Sequence, residues 1–160
     1  MYDFRPAPGL AKPELYQDLL AATTGLTEGE SDAVANMANV AALLFEFLPQ
    51  VNWAGFYRVI DSELVLGPFA GRPACIRIPI GQGVCGTAAA SGETQLVEDV
   101  HAFPGHIACD GATASELVVP VVRNGQVTAV IDLDSPEPAR FDTDDARGIE
   151  ALARLLSERI

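Results

Sequence analysis

Two β-rich runs, SELVVPVVR (115–123) and QVTAVIDLD (126–134), stand on either side of Asn124-Gly125. Asn-Gly tolerates the positive φ angles that a two-residue hairpin turn demands, and Val and Ile suit a pleated, half-buried surface. The stretch therefore predicts two antiparallel strands in one sheet. Further strands are predicted upstream: VNWAGFYRVI (51–60) and ELVLGPF (63–69), joined by the polar turn Asp61-Ser62, and then ACIRIPI (74–80). The two pairs are read as hairpins, so the sheet is expected to be mostly antiparallel.

Helices bracket these strands. Pro13 is placed to open a helix over about 13–22, and Thr27 with Glu30 forms a T-x-x-E capping pattern ahead of a second. In that second helix Val34, Met37, Ala41, Leu44 and Leu48 recur at spacings of three and four, predicting one buried stripe that Pro49 ends. GVCGTAAAS (83–91) reads as a short helix. A last helix begins near Thr143, with Ile149, Leu152, Leu156 and Ile160 on one side. Helices, a hairpin-connected sheet and a closing helix describe an α+β domain. The second and last helices are expected on one sheet face, where two copies of the chain could pair as a homodimer.

The chain's 160 residues suit one domain with one substantial core, and residues 1–12 are expected to form a mobile segment ahead of a domain over 13–160. A formal net charge of −12 repels a phosphate backbone, and the ten basic residues form no run that would neutralise one. Nucleic acid and anionic membranes are poor partners for such a chain. No run approaches the roughly 18 apolar residues that span a bilayer, and the N-terminus has no signal-peptide pattern. A soluble, cytoplasmic protein is expected.

Sulfur is concentrated. Cys75, Cys85 and Cys109 are the only cysteines, and the carboxyls Glu116, Asp132 and Asp134 follow the last of them. An odd count without repeated C-x-x-C spacing does not suit a disulfide framework, whereas cytosolic disulfides are usually transient and catalytic. Zinc ligation by the thiols with His101 or His106 lacks a close ligand pair in the C-x9-C and C-x23-C intervals. A Cys-His-Asp hydrolase lacks a nucleophile-elbow pattern around Cys109. GQGVCG (81–86) matches G-x-G-x-x-G, but the helix after it is too short for a βαβ crossover. What survives there is a glycine-rich helix start whose amides could meet a substrate carboxylate.

More specific than any of these is the joint pattern of NWAGFY (52–57), LGPFAGRPACIRIPIGQGVCGTAA (66–89), VHAFPGHIACD (100–110), SELVVP (115–120) and IDLDSP (131–136). Taken together they resemble the free methionine-(R)-sulfoxide reductases, in register over more than half the chain. The resemblance implies the GAF fold, a central antiparallel sheet flanked by helices. It implies Cys109 as nucleophile, Cys75 as the resolving thiol and Cys85 as a third thiol able to enter disulfide exchange. Glu116, Asp132 and Asp134 are implied as substrate-contacting carboxyls, with Trp53 and Tyr57 around the methyl sulfide end. The expected reaction is reduction of free L-methionine (R)-S-oxide, a function in oxidative stress, with an external dithiol of the thioredoxin type as reductant. No bound cofactor or metal is expected.

The residue types fit that chemistry. A sulfoxide is a poor electrophile until its oxygen is protonated, and crowded carboxyls can hold the necessary proton. Asp132 and Asp134 are two apart on a strand and share a face, as do Trp53, Gly55 and Tyr57, where glycine could leave a gap in an aromatic wall. His101 and His106 flank a proline-glycine turn and are read as loop-organising residues. The alternative function is a non-catalytic GAF sensor of a small ligand, and a weaker one is a zinc-stabilised interaction module. A sensor needs neither three thiols nor the acids.

One conflict is visible in the sequence. An ideal two-residue turn at Asn124-Gly125 pairs Glu116 with Leu133, which turns Glu116 away from Asp132 and Asp134. A common acidic site therefore predicts a three-residue loop, a β-bulge, or a bend near Ser115–Leu117.

Overall fold

The computed structural model describes residues 4–107 and 111–160. In chain order the elements are α1 (Lys12–Thr27), α2 (Ala33–Phe47), β1 (Trp53–Ile60), β2 (Glu63–Gly71), β3 (Arg77–Pro79), α3 (Gly83–Ser91), β4 (Gln95–Val97), a 3-10 turn at Val100–Ala102, β5 (Ser115–Arg123), β6 (Gln126–Ser135) and α4 (Thr143–Leu156). The six strands form one antiparallel sheet in the order β3-β2-β1-β6-β5-β4. This is the α+β architecture expected from the hairpin signals.

Alternation along the strands divides the sheet into two faces. Ala54, Phe56, Leu117, Val119, Val121, Ala129, Ile131 and Leu133 point to one side and pack with α1, α2 and α4 in the larger core. The second and last helices do share a face, as read from their stripes. Trp53, Tyr57, Val118 and Val130 point to the other side, where α3 covers them. Because β3 and β4 are the opposite edges of the sheet, α3 crosses that face from edge to edge. It does not return a parallel strand, so no dinucleotide crossover exists at GQGVCG.

The acidic register is set by a bulge. Asn124 and Gly125 take φ angles of 51° and 77°, the two-residue turn that the sequence predicts. Arg123 pairs with Gln126 and Val122 with Val127, but Val121 then pairs with Ala129, leaving Thr128 as the extra residue. The shift places Glu116 opposite Asp134. A β-bulge was among the expected solutions, and it lies at the turn end of the hairpin rather than near Ser115.

Three helix readings need correction. α1 runs past residue 22 to Thr27 despite Thr23, Thr24 and Gly25, because Thr23 and Thr27 are buried and packing overrides weak propensity. Thr27 does not cap α2; its hydroxyl donates to Thr23 O, and Asp32 is the cap, its side chain accepting from Ala35 N. Val34 is 51% exposed and lies outside the buried stripe. β3 is three residues long and β4 was not foreseen. Among the described residues no helix is long and apolar enough to cross a membrane.

Candidate active site

The uncovered part of the α3 face is a cleft lined by Trp53 and Tyr57 from β1, Cys85 from α3, Glu116 from β5, and Asp132 and Asp134 from β6. The cleft holds about 440 Å³ of atom-free space, open solvent at its mouth included. The sheet register accounts for the grouping. Trp53 lies opposite Asp134 and Gly55 opposite Asp132, so the aromatic strand and the acidic strand are neighbours on one face.

Trp53 stacks between Tyr57, at 5.9 Å between ring centres, and Phe69, at 5.2 Å. Its indole Nε1 donates to Arg72 O at 3.0 Å, and the Tyr57 hydroxyl donates to Cys75 O at 3.0 Å. Both aromatics thus hold the segment that carries Cys75. The expected gap at Gly55 is not open. A Cβ there would stand 2.4 Å from Phe69 Cβ and 2.8 Å from the Trp53 ring, so the space beside glycine is filled by these two side chains.

Cys85, Glu116 and Asp132 are all buried. Cys85 Sγ lies 3.9 Å from Glu116 Oε1. Burial, and then repulsion from Asp132 and Asp134, pushes the Glu116 carboxyl well above the usual carboxylate range. Burial likewise raises Asp132, against hydrogen bonds from Cys85 and Glu116 that pull it down. The pair therefore holds a proton at pH values where an exposed carboxyl would not. Burial and the neighbouring acids keep the Cys85 thiol protonated, and they raise the Tyr57 phenol in the same way.

Cys75 is half-buried and in a disulfide, while Cys85 is a free thiol. Cys109 lies outside the described residues. His101 is the surface-loop residue expected, 3.0 Å from Asp99. His106 is more than that: it lines the cleft with its Nε2 3.9 Å from Glu116 Oε2. Burial and then His101 lower its pKa, leaving a neutral imidazole at pH 7. Ile78, Val84, Ile107 and Thr113 also line the cleft and had no distinguishing signal in the sequence. At the glycine-rich start of α3, Gly81 N and Gln82 N already donate to Gly86 O and Pro79 O, so those two amides are not available to an anion.

A thiol, two proton-holding carboxyls, a third carboxyl and an aromatic wall form a site for acid-assisted thiol chemistry. Comparison with known proteins gives the family. The GAF domain family model matches residues 34–160. A free methionine-R-sulfoxide reductase of Escherichia coli is 49% identical over 147 residues, covering 92% of this chain and 89% of that enzyme. The chain belongs to the GAF-domain free methionine-(R)-sulfoxide reductase family. The enzyme of that name from Saccharomyces cerevisiae is 45% identical, with 93% of this chain and 87% of the yeast protein covered. The crystal structure of the Neisseria meningitidis free methionine-R-sulfoxide reductase, described as a complex with its substrate, superposes with a TM-score of 0.95 at 43% identity, over 99% of this chain and 95% of that one. The family fold and the order of elements therefore extend through the whole described chain.

Proposed function

We infer that this protein reduces free L-methionine (R)-S-oxide to L-methionine. The observation that carries the reading is the bulge-set register that brings Glu116 opposite Asp134 beside Asp132, on the same face as Trp53 and Tyr57. The aromatic wall of Trp53 and Tyr57 suits the methyl sulfide end of the substrate, and the carboxyls beside it suit the sulfoxide oxygen and the ammonium. A carboxylic acid of the Glu116–Asp132 pair donates its proton to the sulfoxide oxygen, and Asp134 receives the substrate ammonium. The Cys109 thiol gives its proton to the carboxylate left by that donation and attacks the substrate sulfur; the substrate S–O bond breaks as the oxygen passes to Cys109, so that methionine leaves and Cys109 becomes a sulfenic acid. Condensation with Cys75 releases water and leaves a disulfide. A disulfide at Cys75 beside a free Cys85 is the state in which that cycle would end. An external dithiol of the thioredoxin type restores the thiols, with Cys85 as an exchange partner and no bound cofactor. A cytoplasmic homodimer is the working form we envisage.

A dithiol-coupled assay comparing the R and S epimers of free methionine sulfoxide tests the reading. Turnover of R alone is expected; turnover of neither would leave a ligand sensor. Cys109→Ser should abolish reduction, while Cys75→Ser, assayed without reductant, should yield about one methionine per chain because the chemical step precedes disulfide formation. Multiple turnover by Cys109→Ser would overturn the nucleophile.

A further inference from the structure

The geometry points to the Cys85–Glu116–Asp132 cluster as a binding site for a thiophilic divalent cation of the zinc class, which would block the reductase by occupying its acids. One ligand atom from each of the three residues lies within 4.8 Å of the others. Bonds of about 2.3 Å to sulfur and about 2.0 Å to oxygen at tetrahedral angles place ligand atoms about 3.5 Å apart. Cys85 Sγ and Glu116 Oε1 are 3.9 Å apart, so that pair closes on an ion with a few tenths of an ångström, while the pairs with Asp132, within 4.8 Å, close with about 1.5 Å at most. His106 Nε2 stands 3.9 Å from the other oxygen of the same carboxylate, outside this three-ligand group. A sulfur and two carboxylates, with the fourth position left to water, are a donor set that zinc accepts.

A second observation points to a polar occupant. Asp132 Oδ1 and Thr113 Oγ1 are buried without a hydrogen-bond partner among the described residues, although the two residues are only 6% and 5% exposed and both line the cleft. A buried oxygen left unsatisfied costs free energy, which an ion or its bound water would recover. The spacing of cysteines along the chain hid this set, because it takes one thiol and draws its other ligands from two adjacent strands. The cluster also survives when Cys75 is in a disulfide, since Cys85 stays free. Coordination displaces the Cys85 proton and those held by the carboxyls to solvent; nothing is oxidised or reduced.

The blocking role rests on the proposed reductase activity, whereas binding does not. Co²⁺ reports both thiolate ligation, through a near-ultraviolet charge-transfer band, and tetrahedral geometry, through intense visible bands. Added to the Cys75→Ser/Cys109→Ser double variant, in which Cys85 is the sole thiol, Co²⁺ should give both signals at one ion per chain, and Zn²⁺ should displace it. Introducing Cys85→Ser should remove the thiolate band, and Asp132→Asn should weaken Co²⁺ binding roughly tenfold or more, with far-ultraviolet circular dichroism reporting the fold. No thiolate band in the double variant, or one that persists without Cys85, overturns the site. In wild-type protein reduced beforehand and freed of dithiol, Zn²⁺ should slow a single turnover of methionine (R)-sulfoxide in proportion to occupancy. Full-rate turnover with the site filled would overturn the blocking role. A wild-type protein that turns over no sulfoxide defeats the function while leaving the Co²⁺ result to decide the site.

Discussion

Asp132 and Glu116 hold protons because burial removes the water that would stabilise their charges. A proton held more tightly by the folded than by the unfolded chain adds stability that is complete below the ordinary carboxylate range and is lost as pH rises through the folded pKa. For Asp132, pushed up to about 7, that window runs from about pH 4 to about pH 7. Asp132→Asn should therefore gain on the parent between pH 5 and 8, by about 1 kcal/mol or more, in urea unfolding at fixed thiol state. Parallel pH dependences would show that the carboxyl is not proton-bound in the folded chain. In the proposed mechanism that proton activates the sulfoxide, so Glu116→Gln should slow the single-turnover step roughly 10²-fold, and Asp134→Asn, which loses the charge proposed to face the substrate ammonium, should slow it comparably. Rates for both variants within about twofold of the parent would make these carboxyls bystanders in the reaction. At this scale Cys85, the acids and the aromatics that line the cleft were legible through their joint motif, while Cys109 lies outside the described residues. His106 was not, because a histidine beside a proline-glycine turn has the same local pattern whether its ring faces solvent or Glu116. The filling of the space at Gly55 depends on Phe69 in the next strand, and no property of β1 alone reveals it.

Elements were readable wherever the signal was local. The turn at Asn124-Gly125 and the conflict it created with the acidic site came from counting residues, and the bulge at Thr128 resolves that conflict. β4 has only three residues and exists because β5 offers it an edge, so its own sequence carried little sign of it. The capping error at Thr27 has a similar cause: Asp32 and Thr27 both precede a helical stripe, but Thr27 is the buried last residue of α1, its hydroxyl donating to Thr23 O. α3 is seated by a close backbone approach. A Cβ on Gly86 would lie 2.5 Å from Pro79 O and 3.2 Å from Gly81 N, both backbone atoms with little freedom to yield. Alanine would gain about 1 kcal/mol in helix propensity, yet overpacking against backbone costs about 1–3 kcal/mol. Gly86→Ala is expected to lose stability on balance and to lift Cys85 out of the cleft. An unfolding midpoint equal to or above the parent's would show that α3 shifts without cost.

At the scale of the molecule the site depends on a polar joint on the far side of the sheet. Asp145 is 1% exposed and accepts from Tyr16 Oη at 2.8 Å, Lys12 Nζ at 2.6 Å, Arg140 Nη1 at 3.2 Å and Asp142 N at 2.9 Å. It thereby ties α1 to the N-terminus of α4 and to the chain leaving β6. Arg140 N in turn donates to Ser115 Oγ at 3.3 Å, and Ser115 Oγ donates to Glu137 O at 2.7 Å, next to the residue that carries the acid at 116. The two cations differ in what their loss would mean. The Lys12 side chain is 34% exposed and water can replace Asp145 around it, so Lys12→Ala should cost under about 1 kcal/mol. The Arg140 side chain is 6% exposed, and without Asp145 its charge would be left buried. Breaking such a pair from one side costs about 3–5 kcal/mol, a large fraction of the stability of a domain of this size. Asp145→Ala should therefore show a urea midpoint far below that of Lys12→Ala, while the fraction that remains folded in the cold keeps the parent's single-turnover rate, since no atom of Asp145 faces the cleft. Equal midpoints for the two variants would mean that Arg140 finds another partner when α4 shifts, and that the joint is not what holds α1 against the sheet.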